Sequence, residues 1–334
     1  MSVVIARDGA MTDSIAARRA KPIVSAPPAV LDITVLMGGP SSERDVSIVS
    51  GTAVADALER LGHKVVRSDI SSGQTAALDR KGIDVVFIAL HGAFGEDGKV
   101  QQLCQDRGLR YIGSGPQASR TAMDKASAKA VFARAGLFAP AGALVERPHT
   151  PAQRQALLDA LDLPVVVKPV DGGSSVDVTI TDDADIRDRA VDAMVARYGC
   201  SLVEKFIQGR EFTVGILGDE ALPALEIVAS RGFYEYDAKY ADGSGTRYVF
   251  DHGLPAQVVR AMQSAALTAH RSLDCRDLSR VDFILDAAGV PYVLEINTIP
   301  GFTSHSLLPM AAARTGISFD QLVQRIVQLA MQRG

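Results

Sequence analysis

From Asp32 onward, continuous apolar runs alternate with stretches in which apolar residues return every three or four positions. Asp32-Ile-Thr-Val-Leu-Met37 is the first run, and Gly38-Gly39 ends it. From Glu43 to Leu61, Val46, Val49, Val54, Leu58 and Leu61 fall at helical spacing. A strand over 63–69 follows, then the unbroken run 83–90, which predicts a parallel strand covered on both faces. A helix near 97–107 and a short strand at 110–113 complete a doubly wound α/β unit, residues 31–120. The second unit, 121–210, reads as α+β. It has a helix over 121–135, strands at 164–168, 176–181 and 201–207, and a helix near 184–197. The third, 211–334, has strands at 211–217 and 223–228, a helix over 255–273, a hairpin and a terminal helix over 318–332. Within it the polar stretch 231–251 is too long for an ordinary connector and is expected to cover a substrate. Residues 1–30 are expected to be a poorly ordered extension, with Met11 an alternative start.

The hairpin carries the clearest chemistry. Runs 279–285 and 291–297 are apolar and β-rich, and Asp286-Ala-Ala-Gly289 between them is turn chemistry. Side chains two apart on a strand share a face, so Glu295 and Asn297 point the same way. Folding about the turn sets Asp282 opposite Glu295. Two carboxylates and a carboxamide oxygen beside Arg280 suit a Mg²⁺ ion carrying phosphates. An exposed polar strand face also alternates, but Pro300-Gly301 and Thr303-Ser-His-Ser306 directly after the hairpin favour a site.

Composition narrows the class. The 334 residues, 47% hydrophobic, are enough for two or three domains with their own cores. The net charge of −4 comes from 35 basic and 39 acidic residues that are mixed rather than blocked, which argues against a nucleic-acid partner. Cys104, Cys200 and Cys275 form neither a disulfide framework nor a zinc pattern, as expected of a cytoplasmic protein. No apolar run approaches the ~18 residues of a membrane span, so no membrane partner is expected.

Other motifs are weaker alone. Gly113-Ser-Gly115-Pro-Gln-Ala118 fits a dinucleotide fingerprint but lacks the acidic residue that should follow, so it reads as a tight turn entering a helix. Lys168 at a strand end, followed by Asp171-Gly-Gly-Ser-Ser175, offers a cation and backbone donors to phosphate oxygens. Alone, it is better explained as a hairpin turn with a snorkelling lysine. The strand through Glu204 to Ile207 resembles a hinge that meets an adenine edge, with Glu211 positioned for ribose hydroxyls. Glu43 and His91 follow two strand C-termini, where a doubly wound sheet places ligands.

Together these motifs resemble the D-alanine–D-alanine ligases of the ATP-grasp superfamily, from about Ile33 to the C-terminus. The carriers are Gly38-Gly-Pro-Ser-Ser-Glu-Arg-Asp-Val-Ser47, His91-Gly-Ala-Phe-Gly-Glu-Asp-Gly98, Met123-Asp-Lys125, Val167-Lys-Pro169, Gly173-Ser-Ser-Val176, Phe233-Tyr-Glu-Tyr-Asp-Ala-Lys-Tyr240 and Glu295-Ile-Asn-Thr-Ile-Pro-Gly-Phe-Thr-Ser-His-Ser306. The resemblance implies an ATP-grasp fold in which two α+β subdomains clasp ATP, and ligation of two D-alanines through a D-alanyl phosphate for peptidoglycan precursors. It implies Mg²⁺, with Mn²⁺ as an alternative, and two ions are expected at Asp282, Glu295 and Asn297. Lys125, Lys168 and Lys239 then hold phosphates, and Ser174 contributes beside them. Glu204 holds the adenine and Glu211 the ribose, and Lys205, Phe206, Ile207, Phe233 and Leu294 also bind the nucleotide. Arg280 and the Gly301 N–H stabilise the oxyanion. Glu43 takes the first D-alanine's ammonium and His91 lies near its carboxylate, while Ser304 and Ser306 serve the second. Ser174 and Tyr240 link the covering loop to Glu43. A homodimer is the commonest assembly of such ligases.

Tyr240 matches the dipeptide formers, whereas ligases using D-lactate usually carry Phe there. Asp177 replaces a common Gly, and Phe250-Asp251-His252 replaces a stretch that usually holds Pro-Ala. These departures keep open another acceptor, such as D-serine, D-lactate or a secondary-metabolic amine. A nucleotide-binding module without turnover is the alternative outside enzymes.

Overall fold

The parallel strand β1 (Asp32–Met37) is the centre of the first sheet, flanked by β2 (Lys64–Asp69) and β3 (Val85–Ile88) in the order β2-β1-β3. The computed structural model describes residues 29–147, 149–172, 177–228, 245–303 and 305–333. Helix α1 (Arg44–Arg60) buries Val54, Ala55, Ala57 and Leu58 and exposes Val49. The strand predicted at 110–113 is reduced to one parallel bridge, Val86 to Tyr111. Gly113 turns the chain immediately afterwards, its N–H donating 2.7 Å to Asp277 Oδ2, which explains the fingerprint-like sequence structurally.

Helix α2 (Lys99–Asp106) leads to α3 (Pro116–Met123) and α4 (Lys125–Arg134). The single helix expected over 121–135 is therefore broken, because Asp124 leaves helical geometry and caps α4 by accepting from the Ser127 N–H. Strand β4 (Gly142–Glu146) and helix α5 (Pro151–Asp159) come next, followed by β5 (Val165–Lys168), β6 (Thr179–Thr181), α6 (Ala184–Tyr198) and β7 (Cys200–Lys205). These strands make an antiparallel sheet, β4-β7-β5-β6.

The third sheet is antiparallel too. Strands β8 (Gly209–Leu217), β9 (Glu220–Ala221), β10 (Leu225–Val228) and β11 (Arg247–Val249) precede helix α7 (Ala256–Ser272). Strands β12 (Leu278–Asp286) and β13 (Pro291–Asn297) form the hairpin, and the sheet order is β11-β10-β8-β12-β13 with β9 against β8. Two helices finish the chain, α8 (Leu307–Arg314) and α9 (Phe319–Gln332).

Each sheet has an apolar cluster. Phe132, Phe212, Val281 and Phe283 centre one, and Val165, Val167, Val191 and Val203 another. The largest runs from Ile33, Phe87 and Ile88 to Phe302, Leu308, Leu322 and Ile326, so the last two helices share a core with the first sheet. That packing brings the segment after the hairpin against the ends of β1 and β3.

Candidate active site

The β12–β13 register sets Asp282 opposite Glu295, as folding about the turn predicts, and also sets Arg280 opposite Asn297. A β-bulge follows, because Phe283 pairs with Val293 and leaves Leu294 as the extra residue on β13. Bulges re-aim side chains, and this one lies beside the acidic face. Asp282 is buried. Its Oδ1 accepts from Thr213 Oγ1 at 2.6 Å and Arg280 Nε at 2.9 Å, and its Oδ2 accepts from Arg280 Nη2 at 2.7 Å. Asn297 Oδ1 accepts from the Ile299 N–H at 2.9 Å and keeps a second lone pair. Glu295 Oε2 lies 3.4 Å from Lys125 Nζ.

Glu295 and Asn297 line an open cleft with Glu96, Lys125, Gly172 and Thr298. Asp282 stands behind that lining, held by Arg280. Among the described residues no three His, Cys, Asp or Glu side chains converge as a ready cation cage. The donors are instead hard oxygens, two carboxylates and a carboxamide, and they fit a divalent ion that keeps other oxygen ligands from water or phosphate.

On β7, Glu204 is only 2% exposed and takes two cations. Lys168 Nζ lies 2.7 Å from its Oε2, and Lys129 Nζ bonds its Oε1. Burial raises the Glu204 carboxyl, but Lys168 and Lys129 more than reverse this and leave it below the ordinary value. One carboxylate cannot compensate two ammonium groups. Burial and the charge of Lys168 accordingly bring Lys129 down to about 8. The sequence reading missed Lys129. Its spacing of four from Lys125 on α4 was the available signal, since residues four apart share a helix face. Beyond Glu204, the Lys205 side chain is exposed, the Phe206 N–H donates to the Pro164 carbonyl, and Ile207 and Glu211 are half-buried.

A second crevice forms where β1 and β3 end. Ser41 Oγ donates 2.6 Å to the His91 carbonyl and accepts from the Glu43 N–H. A Cβ on Gly92, whose φ is +70°, would stand 2.8 Å from Glu43 Oε2, so glycine admits the carboxylate there. The structure thus brings Glu43 and the His91 loop together. Burial holds the nearby Glu96 carboxyl above its usual range, against the pull of His91 3.6 Å away. A Cβ on Gly301 would meet Ser306 Oγ at 2.7 Å. That hydroxyl is 2.9 Å from Thr303 Oγ1 and accepts from the Thr303 N–H. Ser174, Phe233, Lys239, Tyr240 and Ser304, and most of the covering stretch, lie outside the described residues.

The description "D-ala D-ala ligase C-terminus" matches residues 131–328, and "D-ala D-ala ligase N-terminus" matches residues 65–114. The chain belongs to the D-alanine–D-alanine ligase family. A D-alanine–D-alanine ligase of Gloeobacter violaceus is 46% identical over 300 residues, covering 90% of this chain and 99% of that protein. The crystal structure of the Bacillus anthracis D-alanine–D-alanine ligase superposes with a TM-score of 0.81 at 32% identity, covering 91% of this chain and 98% of that one. The VanG D-Ala:D-Ser ligase from Enterococcus faecalis gives 0.80 at 26% identity, covering 90% and 99%. The parallel first sheet and two antiparallel sheets are the ATP-grasp architecture of these ligases. No helix among the described residues is long and apolar enough to cross a membrane.

Proposed function

We propose that this family member joins two D-alanines into D-alanyl-D-alanine, consuming one ATP, in the cytoplasm and as a step toward peptidoglycan precursors. A carboxylate is a poor acyl donor. Transfer of the γ-phosphoryl group to the first D-alanine's carboxylate makes an acyl phosphate and ADP. The second D-alanine's amine, once deprotonated, attacks the acyl carbon and phosphate leaves. The observation that carries this reading is Lys125 beside Glu295 in the cleft that Asn297 also lines.

Glu295, Asn297 and Asp282 would hold Mg²⁺, which when bound spreads the charge of the transferring phosphoryl group. Lys125 and Lys168 would meet phosphate oxygens, and Lys129 would keep Glu204 compensated when Lys168 turns away. Lys239 and Ser174 belong to the same phosphate set by resemblance. Arg280 and the Gly301 N–H serve the oxyanion, and Glu43 the first ammonium. We read 31–120, 121–210 and 211–334 as the three lobes of such an enzyme, acting as a homodimer.

The test is a product assay with D-alanine, ATP and Mg²⁺, following ADP, phosphate and dipeptide together. Equal amounts of all three support the reading, and ATP turnover indifferent to any D-amino acid overturns it. The likeness to a D-Ala:D-Ser ligase motivates a second arm with D-serine as acceptor. Preferential formation of D-alanyl-D-serine would replace D-alanine as second substrate while leaving the ligase chemistry intact.

A further inference from the structure

His91 is 6% exposed and Ser50 fully buried, and both are bonded to the backbone that brackets Gly301. His91 Nδ1 lies 3.2 Å from the Ile299 carbonyl, and Nε2 lies 3.0 Å from Ser50 Oγ. Ser50 Oγ in turn accepts from the Phe302 N–H at 3.3 Å. A carbonyl only accepts, so Nδ1 carries the proton toward Ile299. Ser50 Oγ already accepts from the Phe302 N–H, so its hydroxyl proton points to His91 Nε2. The chain of three hydrogen bonds starts and ends on one turn, with Pro300 and Gly301 between its anchors. It ends on an amide N–H, which gives up no proton, so it holds rather than conducts. The hairpin side of the turn is tied as well, through the Ile299 N–H to Asn297 Oδ1.

We propose that Ser50 and His91 form a clamp from the first lobe that fixes the 299–302 turn and thereby aims the Gly301 N–H at the reacting carbonyl. They are positioning residues. The inference rests on the oxyanion role given to Gly301 above, and it departs from the resemblance, which puts His91 beside a substrate carboxylate. Both ring nitrogens of His91 are already engaged within the protein.

The test uses Ser50→Ala and His91→Asn in the full chain. The second variant keeps a donor near the Nδ1 position and removes the acceptor for Ser50, so each variant is informative even where the other does not fold. Hydrogen–deuterium exchange of the 299–302 amides is expected to speed up about tenfold or more in either variant. Turnover is expected to fall about 10- to 100-fold, with KM for ATP within about twofold of wild type. The double variant should be no worse than the more severe single one, because both cut the same chain. Unchanged exchange and unchanged kcat would overturn the clamp. A raised KM for D-alanine with kcat retained would also overturn it and return His91 to direct substrate contact. Faster exchange with unchanged kcat would overturn the catalytic assignment by removing the role of Gly301, even though the clamp itself is present.

Discussion

Glu204 carries two ammonium partners on one buried carboxylate, and this surplus charge sets how the nucleotide cleft responds to pH. Lys129 titrates near 8 when folded, against an ordinary 10.5. Between these values the unfolded chain holds a proton that the folded chain has released, so this group's contribution to stability rises with pH across that window. Thermal unfolding from about pH 7 to about pH 9.5 should therefore show wild type gaining on Lys129→Met. Parallel curves would mean that Lys129 does not titrate there. The sequence hid this residue because a lysine on an amphipathic helix ordinarily reads as solvated. Asp177, by contrast, was visible as a departure, and its backbone explains the glycine usual there. Its φ is +58°, and its carboxylate is turned toward α6, where Arg197 Nη1 lies 2.6 Å away and the Tyr198 hydroxyl also bonds it. Its charge is thus matched locally.

Local pattern decided which elements were legible. The β12–β13 hairpin followed from the apolar, β-rich runs on either side of Asp286-Ala-Ala-Gly289, and the facing of Asp282 and Glu295 agrees with the register. The bulge at Leu294 was not readable, because alternation alone does not reveal an unpaired residue. Strand β4 and helix α5 were missed because Gly142–Glu146 is only five residues long and buries only Val145, and α5 buries only Leu158. The Thr150-x-x-Gln153 capping box before α5 was the overlooked signal. A second box, Ser318 with Gln321, opens α9, whose apolar face fills the largest core. Ser318→Ala is expected to cost about 1 kcal/mol in urea unfolding and to leave turnover unchanged. No loss of stability would mean that water replaces the cap at no cost.

The C-terminal end of the folded body is tied to the first lobe by charge as well as by core packing. Arg333, just past α9, bonds the buried Asp277 and donates 2.6 Å to the Tyr111 carbonyl, while Asp277 also receives the Gly113 N–H. Burial raises the Asp277 carboxyl, and Arg333 opposes that rise. Arg333→Ala would leave the carboxylate in place without its cation. A loss of about 3 kcal/mol is expected, seen as a lower denaturant midpoint, and an unchanged midpoint would show that the pair is not retained in solution. These ties join residues 56, 164 and 222 positions apart, and no local pattern in the chain announces them. The shared core does the same for the site, carrying the turn after the hairpin to the ends of β1 and β3. The central claim concerns the hairpin face itself. Titrating Mn²⁺ by electron paramagnetic resonance, in the presence of a non-hydrolysable ATP analogue, tests it most directly by comparing wild type with Glu295→Gln. The variant should bind the ion at least about tenfold more weakly, whereas equal affinity in the two proteins would place the metal elsewhere.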